Sequence, residues 1–212
     1  MSRALFITGT GTDIGKTYVT GLIVKKLAGH GKNPGYYKAA MSGNERRKDG
    51  SLIPGDALFV QQCSGIAQPL EEMCSYVYEN AYSPHLASRI EGNPVVMDVV
   101  KQGFYSVSKK YDYITVEGSG GILCPICFDE EKIQLEDIVK ELNLSSIIIA
   151  DAGLGTINSV ILTVEYMKAK HMDIKGIIFN HFHPGNVMEE DNIFMCESAY
   201  QRSAHYGRLY LH

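Results

Sequence analysis

Residues Thr8–Thr17, "TGTGTDIGKT", have the types and spacing of a phosphate-binding turn. Glycines let backbone N–H groups approach phosphate oxygens, and a helix starting at the turn adds the positive end of its dipole. Lys16 would reach the outer phosphates of a nucleotide, and the Thr17 hydroxyl would ligate Mg²⁺. The spacing departs from the common G-x-x-x-x-G-K-[ST] pattern. Its first glycine would fall at position 10, where Thr10 stands between Gly9 and Gly11. With Gly9 in the first-glycine role, the loop is one residue longer and contains Thr10.

A nucleotide–Mg²⁺ site needs carboxylate oxygens to complete the metal's shell. Glu117 closes "YDYITVE" ahead of "GSGG", Asp13 lies within the loop, and Asp56 opens "GDALFVQQ". On local pattern alone, Asp56 reads equally well as a helix N-cap. Gly118, Gly120 and Gly121 permit close backbone approach to an anion, or simply a tight turn. Lys38, at the end of "GYYKAA", is a cation at an expected strand terminus. A second lysine beside a phosphate loop can stabilise charge on a transferring group; a solvated lysine is the plainer alternative. Cys124 and Cys127 form a C-x-x-C without a second pair or ligand-spaced histidines, so they read as small apolar side chains in a buried stretch.

The elements that must position these residues are visible as apolar, β-branched runs: Ala4–Thr8, Tyr111–Val116, Ser145–Ala150 and Ile174–Phe179. They lack polar alternation, as strands covered on both faces do. Helical patterns lie between them, at Gly15–Gly31, Asn93–Lys110 and Thr156–His171. Such alternation predicts a three-layer α/β/α fold of the P-loop kind with a mostly parallel central sheet. Ligands in such sheets sit at the carboxyl ends of the strands, where the polar residues above fall. Met41–Pro54, "MSGNERRKDGSLIP", reads as a mobile surface loop that could order over a ligand.

A length of 212 residues suits one well-buried domain, here taken as residues 1–212. Hydrophobic residues at 45% and charged ones at 21% are ordinary for a globular chain. A net charge of −4 argues against general affinity for nucleic acid or anionic membranes. No apolar run approaches the roughly 20 residues that span a bilayer. "MSRALFITG" runs straight into the first strand without a signal-peptide core, which makes the cytoplasm the expected location. Five irregularly spaced cysteines do not suggest a secreted disulfide scaffold.

Several motifs occur together in one order: "TGTGTDIGKT", "YYKAAMSG", "GDAL", "YSPHLASRIEG", "VEGSGGILCPI", "LGTINSVILT" and "IIFN". In order and spacing they resemble the dethiobiotin synthetase family, over roughly residues 3–181. That family's loop reads G-T-x-T-x-x-G-K-T, which accounts for the displaced glycines. The resemblance implies a ligase that closes the ureido ring of dethiobiotin from 7,8-diaminopelargonate, CO₂ and ATP with Mg²⁺. By the match, Lys38 and Lys16 are the catalytic lysines. Asp13, Ile14, Gly15, Lys16, Thr17 and Tyr18 wrap the phosphates, and Thr17, Asp56 and Glu117 hold the metal. Gly118, Ser119 and Gly120 lie on the nucleotide side, and Asn180 contacts the base. Ser42, Gly121 and Asn158 belong to the substrate, with Asn158 near its carboxylate at a dimer interface. A homodimer is therefore implied. Ser83 and His85 would shape the substrate loop.

Four departures from the family pattern carry expectations. Ala39 replaces a common proline after Lys38 and would loosen a loop there without removing charge. "CPIC" falls where the family has a strand extension, and "HFH" (His181, His183) reads as solvated histidines. The family continues with a proline-bearing segment that grips adenine, whereas this sequence ends in "YGRLYLH", which implies weaker or broader base recognition. Two other functions compete. One is a partition-type or regulatory ATPase switch, which would carry a lysine five residues before Lys16, where Gly11 stands. The other is a diverged paralogue acting on a related diamine.

Overall fold

The computed structural model describes residues 3–201; the terminal "YGRLYLH" discussed above lies outside them. The chain runs β1 (Arg3–Gly9), α1 (Lys16–Gly29), β2 (Pro34–Met41), α2 (Gly55–Ser64), β3 (Cys74–Val77), α3 (Pro84–Ile90) and α4 (Met97–Ser108). It continues through β4 (Tyr113–Glu117), β5 (Pro125–Phe128), β6 (Lys132–Gln134), α5 (Leu135–Glu141), β7 (Ser145–Asp151), α6 (Thr156–Ala169), β8 (Ile174–Asn180) and α7 (Val187–Gln201). Six strands form one sheet in the order β3-β2-β4-β1-β7-β8, each neighbouring pair parallel. β5 and β6 form a separate antiparallel hairpin. This is the expected α/β class with a parallel central sheet.

Period-2 alternation sends successive strand residues to opposite helix layers. Phe6, Ile114, Val116 and Ile148 pack with Val100 and Phe104 of α4, Ile138 of α5 and Val160 of α6. On the other face Ile7, Ile149 and Ile178 meet Val19 of α1, and Tyr36 meets Val24 together with Ala57 and Val60 of α2. Phe6, Tyr36 and Tyr37 are fully buried, each contributing about 1.5–3 kcal/mol of hydrophobic stabilisation. No described helix is long and apolar enough to cross a membrane.

The four apolar runs become β1, β4, β7 and β8 with ends shifted by no more than two residues. β2, at the heart of the left half of the sheet, is not among those runs because Pro34, Gly35 and Lys38 interrupt its apolar character. All eight of its residues are nonetheless buried. Lys38 therefore lies inside a strand rather than at its end, and Ala39 beside it packs into the core on the opposite face, not in a loop. The segment 41–54 is also tighter than its composition suggests. Asn44 donates to the carbonyls of Met41 and Tyr78 and accepts from the N–H of Gly55. Arg46 bridges to Leu52 and forms an ion pair with Glu79 at 2.6 Å.

Candidate active site

Parallel register puts Lys38 on β2 beside Glu117 on β4, and Glu117 in turn beside Ile7 of β1. Lys38 and Tyr36 are two residues apart and so share a face, the one covered by α1 and α2. The Lys38 ammonium lies 2.9 Å from Glu117 Oε1 and 2.6 Å from Asp56 Oδ2. Glu117 Oε1 also accepts from the Thr17 hydroxyl at 2.7 Å, and Oε2 from the Tyr36 hydroxyl at 3.1 Å. The Glu117 side chain is wholly buried, so these partners are what make its charge tolerable. Burial alone would push Lys38 towards neutrality, but Glu117 and Asp56 outweigh it and hold the lysine well above its usual value. Asp56 is the second residue of α2 and makes no cap; Pro54 precedes the helix, and the carboxylate faces Lys38 instead.

The phosphate loop joins β1 to α1. Gly15 has φ +84°, and a Cβ there would overlap the Asn180 amide nitrogen, so glycine is required. Asn180, from the end of β8, donates to the Ile14 carbonyl at 3.0 Å and braces the turn. Lys16 reaches back across the loop and donates to the Gly11 carbonyl at 2.7 Å. Burial, reinforced by the Lys38 charge, lowers its pKa. A side chain at Gly11 would meet nothing within 4 Å, so the missing switch-type lysine is not excluded by space.

Two clefts flank the loop. One, of about 770 Å³, is lined by Asp13, Lys16, Thr17, Lys38, Ser42, Asp56, Glu117, Ser119 and Gly120 among others. The other, of about 570 Å³, is lined by Tyr18, Leu22, Phe179, Asn180, His181 and Phe182 among others, with Gly15 shared between them. The metal-type donors are Thr17, Asp56 and Glu117, all hard oxygens: the two carboxylates meet at the Lys38 ammonium, and the Thr17 hydroxyl bonds Glu117. This set fits Mg²⁺, whose remaining positions are usually filled by phosphate and water oxygens.

The other expected residues divide. Ser42 lines the charged cleft, its hydroxyl donating to the Tyr82 carbonyl at 2.6 Å, and Ser119 donates to the Ala40 carbonyl at 2.7 Å. Gly118 lies behind the cleft, where a Cβ would collide with Phe6 and Leu135; its smallness serves packing. Gly121 abuts the Gly9 carbonyl. Asn158 is exposed in the first turn of α6, and neither cleft reaches it. Ser83 and His85 hydrogen-bond each other at 2.9 Å at the start of α3. Cys127 is buried in β5, whereas Cys124 lines the charged cleft, where burial raises its thiol pKa. His181 and His183 are not merely solvated: they pair with Asp151 at 2.6 Å and Glu189 at 3.1 Å. Sequence reading missed Tyr36, although its i, i+2 spacing from Lys38 on a strand was the available signal. It also missed Asp151, for which no local signal existed.

A family model described as an AAA domain matches residues 3–203. ATP-dependent dethiobiotin synthetase of Brachyspira hyodysenteriae is 54% identical over 198 residues, covering 93% of this chain and 87% of the relative. The enzyme of the same name from Clostridium botulinum strain Langeland is 52% identical over 192 residues, covering 91% and 84%. The chain belongs to the dethiobiotin synthetase family. For a dethiobiotin synthetase, the expected equipment is an ATP-using phosphate loop and a ligase chemistry forming carbon–nitrogen bonds, as the resemblance implied. Among solved structures, the MinC:MinD cell division protein complex of Aquifex aeolicus superposes with TM-score 0.54 at 15% identity, covering 92% of this chain and 78% of that one. That likeness concerns the fold alone.

Proposed function

We infer that this protein closes the ureido ring of dethiobiotin from 7,8-diaminopelargonate, CO₂ and ATP, working as one P-loop ligase domain. The observation that carries this reading is Lys38, a buried ammonium held between Glu117 and Asp56 in the cleft that also contains Lys16, Thr17 and Ser42. One substrate amine adds to CO₂ and loses a proton, giving a carbamate. A carbamate oxygen attacks the γ-phosphorus and ADP departs; the second amine then attacks the carbamoyl carbon, and phosphate leaves with that oxygen. The middle step brings two anions together, so it needs preorganised positive charge rather than a strong base.

Lys38 would neutralise the carbamate as it approaches, and Lys16 would turn from the Gly11 carbonyl to the outer phosphates. The backbone of Asp13–Tyr18 would wrap the phosphates, with Ser119 and Gly120 along the cleft wall. Thr17, Asp56 and Glu117 would hold Mg²⁺, which supplies charge neutralisation on the phosphate oxygens when bound. Ser42 would exchange its bond to Tyr82 for one to the diamine or carbamate end. Asn158 lies outside the cleft, so its substrate role requires a homodimer that carries α6 of the partner to the carboxylate; Leu154, 91% exposed just before α6, supports such a contact. A soluble cytoplasmic location agrees with this chemistry. The test is isotopic. With ¹⁸O-labelled bicarbonate, label should appear in the phosphate released; unlabelled phosphate from a working reaction would refute carbamate attack.

A further inference from the structure

The apolar cleft has a polar element whose orientation is forced by chemistry. Asp151 closes β7, and Asn180 and His181 stand at the end of β8, its neighbour in the sheet. The Asp151 carboxylate accepts from the Gly153 N–H through Oδ1 at 2.6 Å and faces His181 Nδ1 through Oδ2 at 2.6 Å. A carboxylate can only accept, so Nδ1 donates to it; in the tautomer protonated there alone, Nε2 is an acceptor. Asn180 Nδ2 lies 3.2 Å from that Nε2 and 3.0 Å from the Ile14 carbonyl, a second atom that can only accept. The Ile14 carbonyl fixes the NH₂ end of the Asn180 amide on that side, and the Nδ1–H tautomer of His181 takes its second hydrogen. Among the described residues no hydrogen bond reaches Oδ1, and Asn180 lines the cleft.

We propose that Asp151 and His181 are positioning residues, which hold the Asn180 amide so that its oxygen is the group offered to the nucleotide base. An acceptor at that point favours a base carrying an exocyclic amino group, adenine or cytosine, over one presenting a carbonyl, guanine or uracil. His181 takes the left-handed conformation, φ +57°, and from it the ring meets Asp151. The proposal rests on the reading of the phosphate loop as an ATP site.

The test is steady-state kinetics with ATP, CTP, GTP and UTP for the wild-type protein, Asp151→Ala, Asp151→Asn and His181→Asn. Asparagine at 181 tolerates the positive φ, so that variant removes the imidazole without refolding the turn. In Asp151→Ala and His181→Asn, KM for ATP should rise about tenfold, the effect of losing one oriented hydrogen bond. In both, kcat and KM for the diamine should stay within about twofold. The preference for ATP and CTP over GTP and UTP should shrink by a similar factor, and Asp151→Asn, which retains one acceptor oxygen, should fall between. A merely structural role would lower kcat and melting temperature together and leave base preference untouched, and that result would overturn the proposal. Lys16→Ala in the same assay separates the two readings. If it abolishes ATP binding while base preference is unchanged in the Asp151 and His181 variants, the relay fails and the nucleotide site stands. If Lys16→Ala binds ATP normally, both fail.

Discussion

The two clefts beside Gly15 solve different problems with different materials. On the β2 side, a lysine inside a strand bonds two carboxylates, one at the end of β4 and one in the first turn of α2. On the β8 side, the lining is Tyr18, Leu22, Phe179 and Phe182, with one oriented amide. The first cleft fixes charge on a buried lysine and glutamate, which suits a reaction between anions. The second offers apolar area with few polar groups, Asn180 and His181 among them, which suits recognition of a flat ring. Gly15 lines both clefts and so stands between the proposed catalytic and base-binding regions.

That division can be broken from its charged side first. Lys38→Met should cost about 10³-fold in kcat, the scale of removing a cation from a phosphoryl-transfer site, with ATP affinity changed much less. The same change leaves Glu117 buried with one partner fewer, so the melting temperature should fall as well, reflecting about 3–5 kcal/mol. Calorimetric ATP binding measured on folded protein separates the two effects, and equal losses of affinity and turnover would dissolve the contrast between clefts. Gly15→Ala strikes the seam. The left-handed backbone costs an alanine about 1–2 kcal/mol, and the added methyl displaces the Asn180 amide, so KM for ATP should rise about tenfold or more. An unchanged KM would mean that Asn180 plays no part in holding the loop.

The smallest expected effect concerns pH. Lys16 has its pKa lowered by burial and by the Lys38 charge, whereas Glu117 and Asp56 hold Lys38 above the ordinary range despite its burial. As pH rises, Lys16 should therefore lose its proton before an ordinary lysine does, while Lys38 remains charged. ATP affinity should decline a few-fold through that window, and Lys16→Arg should flatten the decline. The unfolded chain holds the Lys16 proton more tightly than the folded one, so this group contributes stability that rises with pH over the same window.

How much of this was legible in the sequence follows from what each residue depends on. Lys16, Thr17 and Glu117 were readable because a strand, a glycine-rich turn and a helix are local events with local signatures. β2 was harder: its burial comes from neighbours β3 and β4, and its proline, glycine and lysine hide that from a hydrophobic pattern. Asp56 looked like a cap because only tertiary contact shows that it faces Lys38. The segment 41–54 looked mobile because the residue that ties it down, Asn44, bonds to Tyr78, far along the chain. Asp151 and His181 are 30 residues apart and meet only because β7 and β8 pair in register.

The central claim, that the Lys38 cleft transfers phosphoryl to a carbamate made from a diamine, is tested most directly by ADP release. With bicarbonate present, the rate should be low without 7,8-diaminopelargonate and rise by at least about 10²-fold with it, the scale of charge stabilisation and positioning in such a site. ADP release that is indifferent to the diamine and stimulated instead by a partner protein would contradict the account.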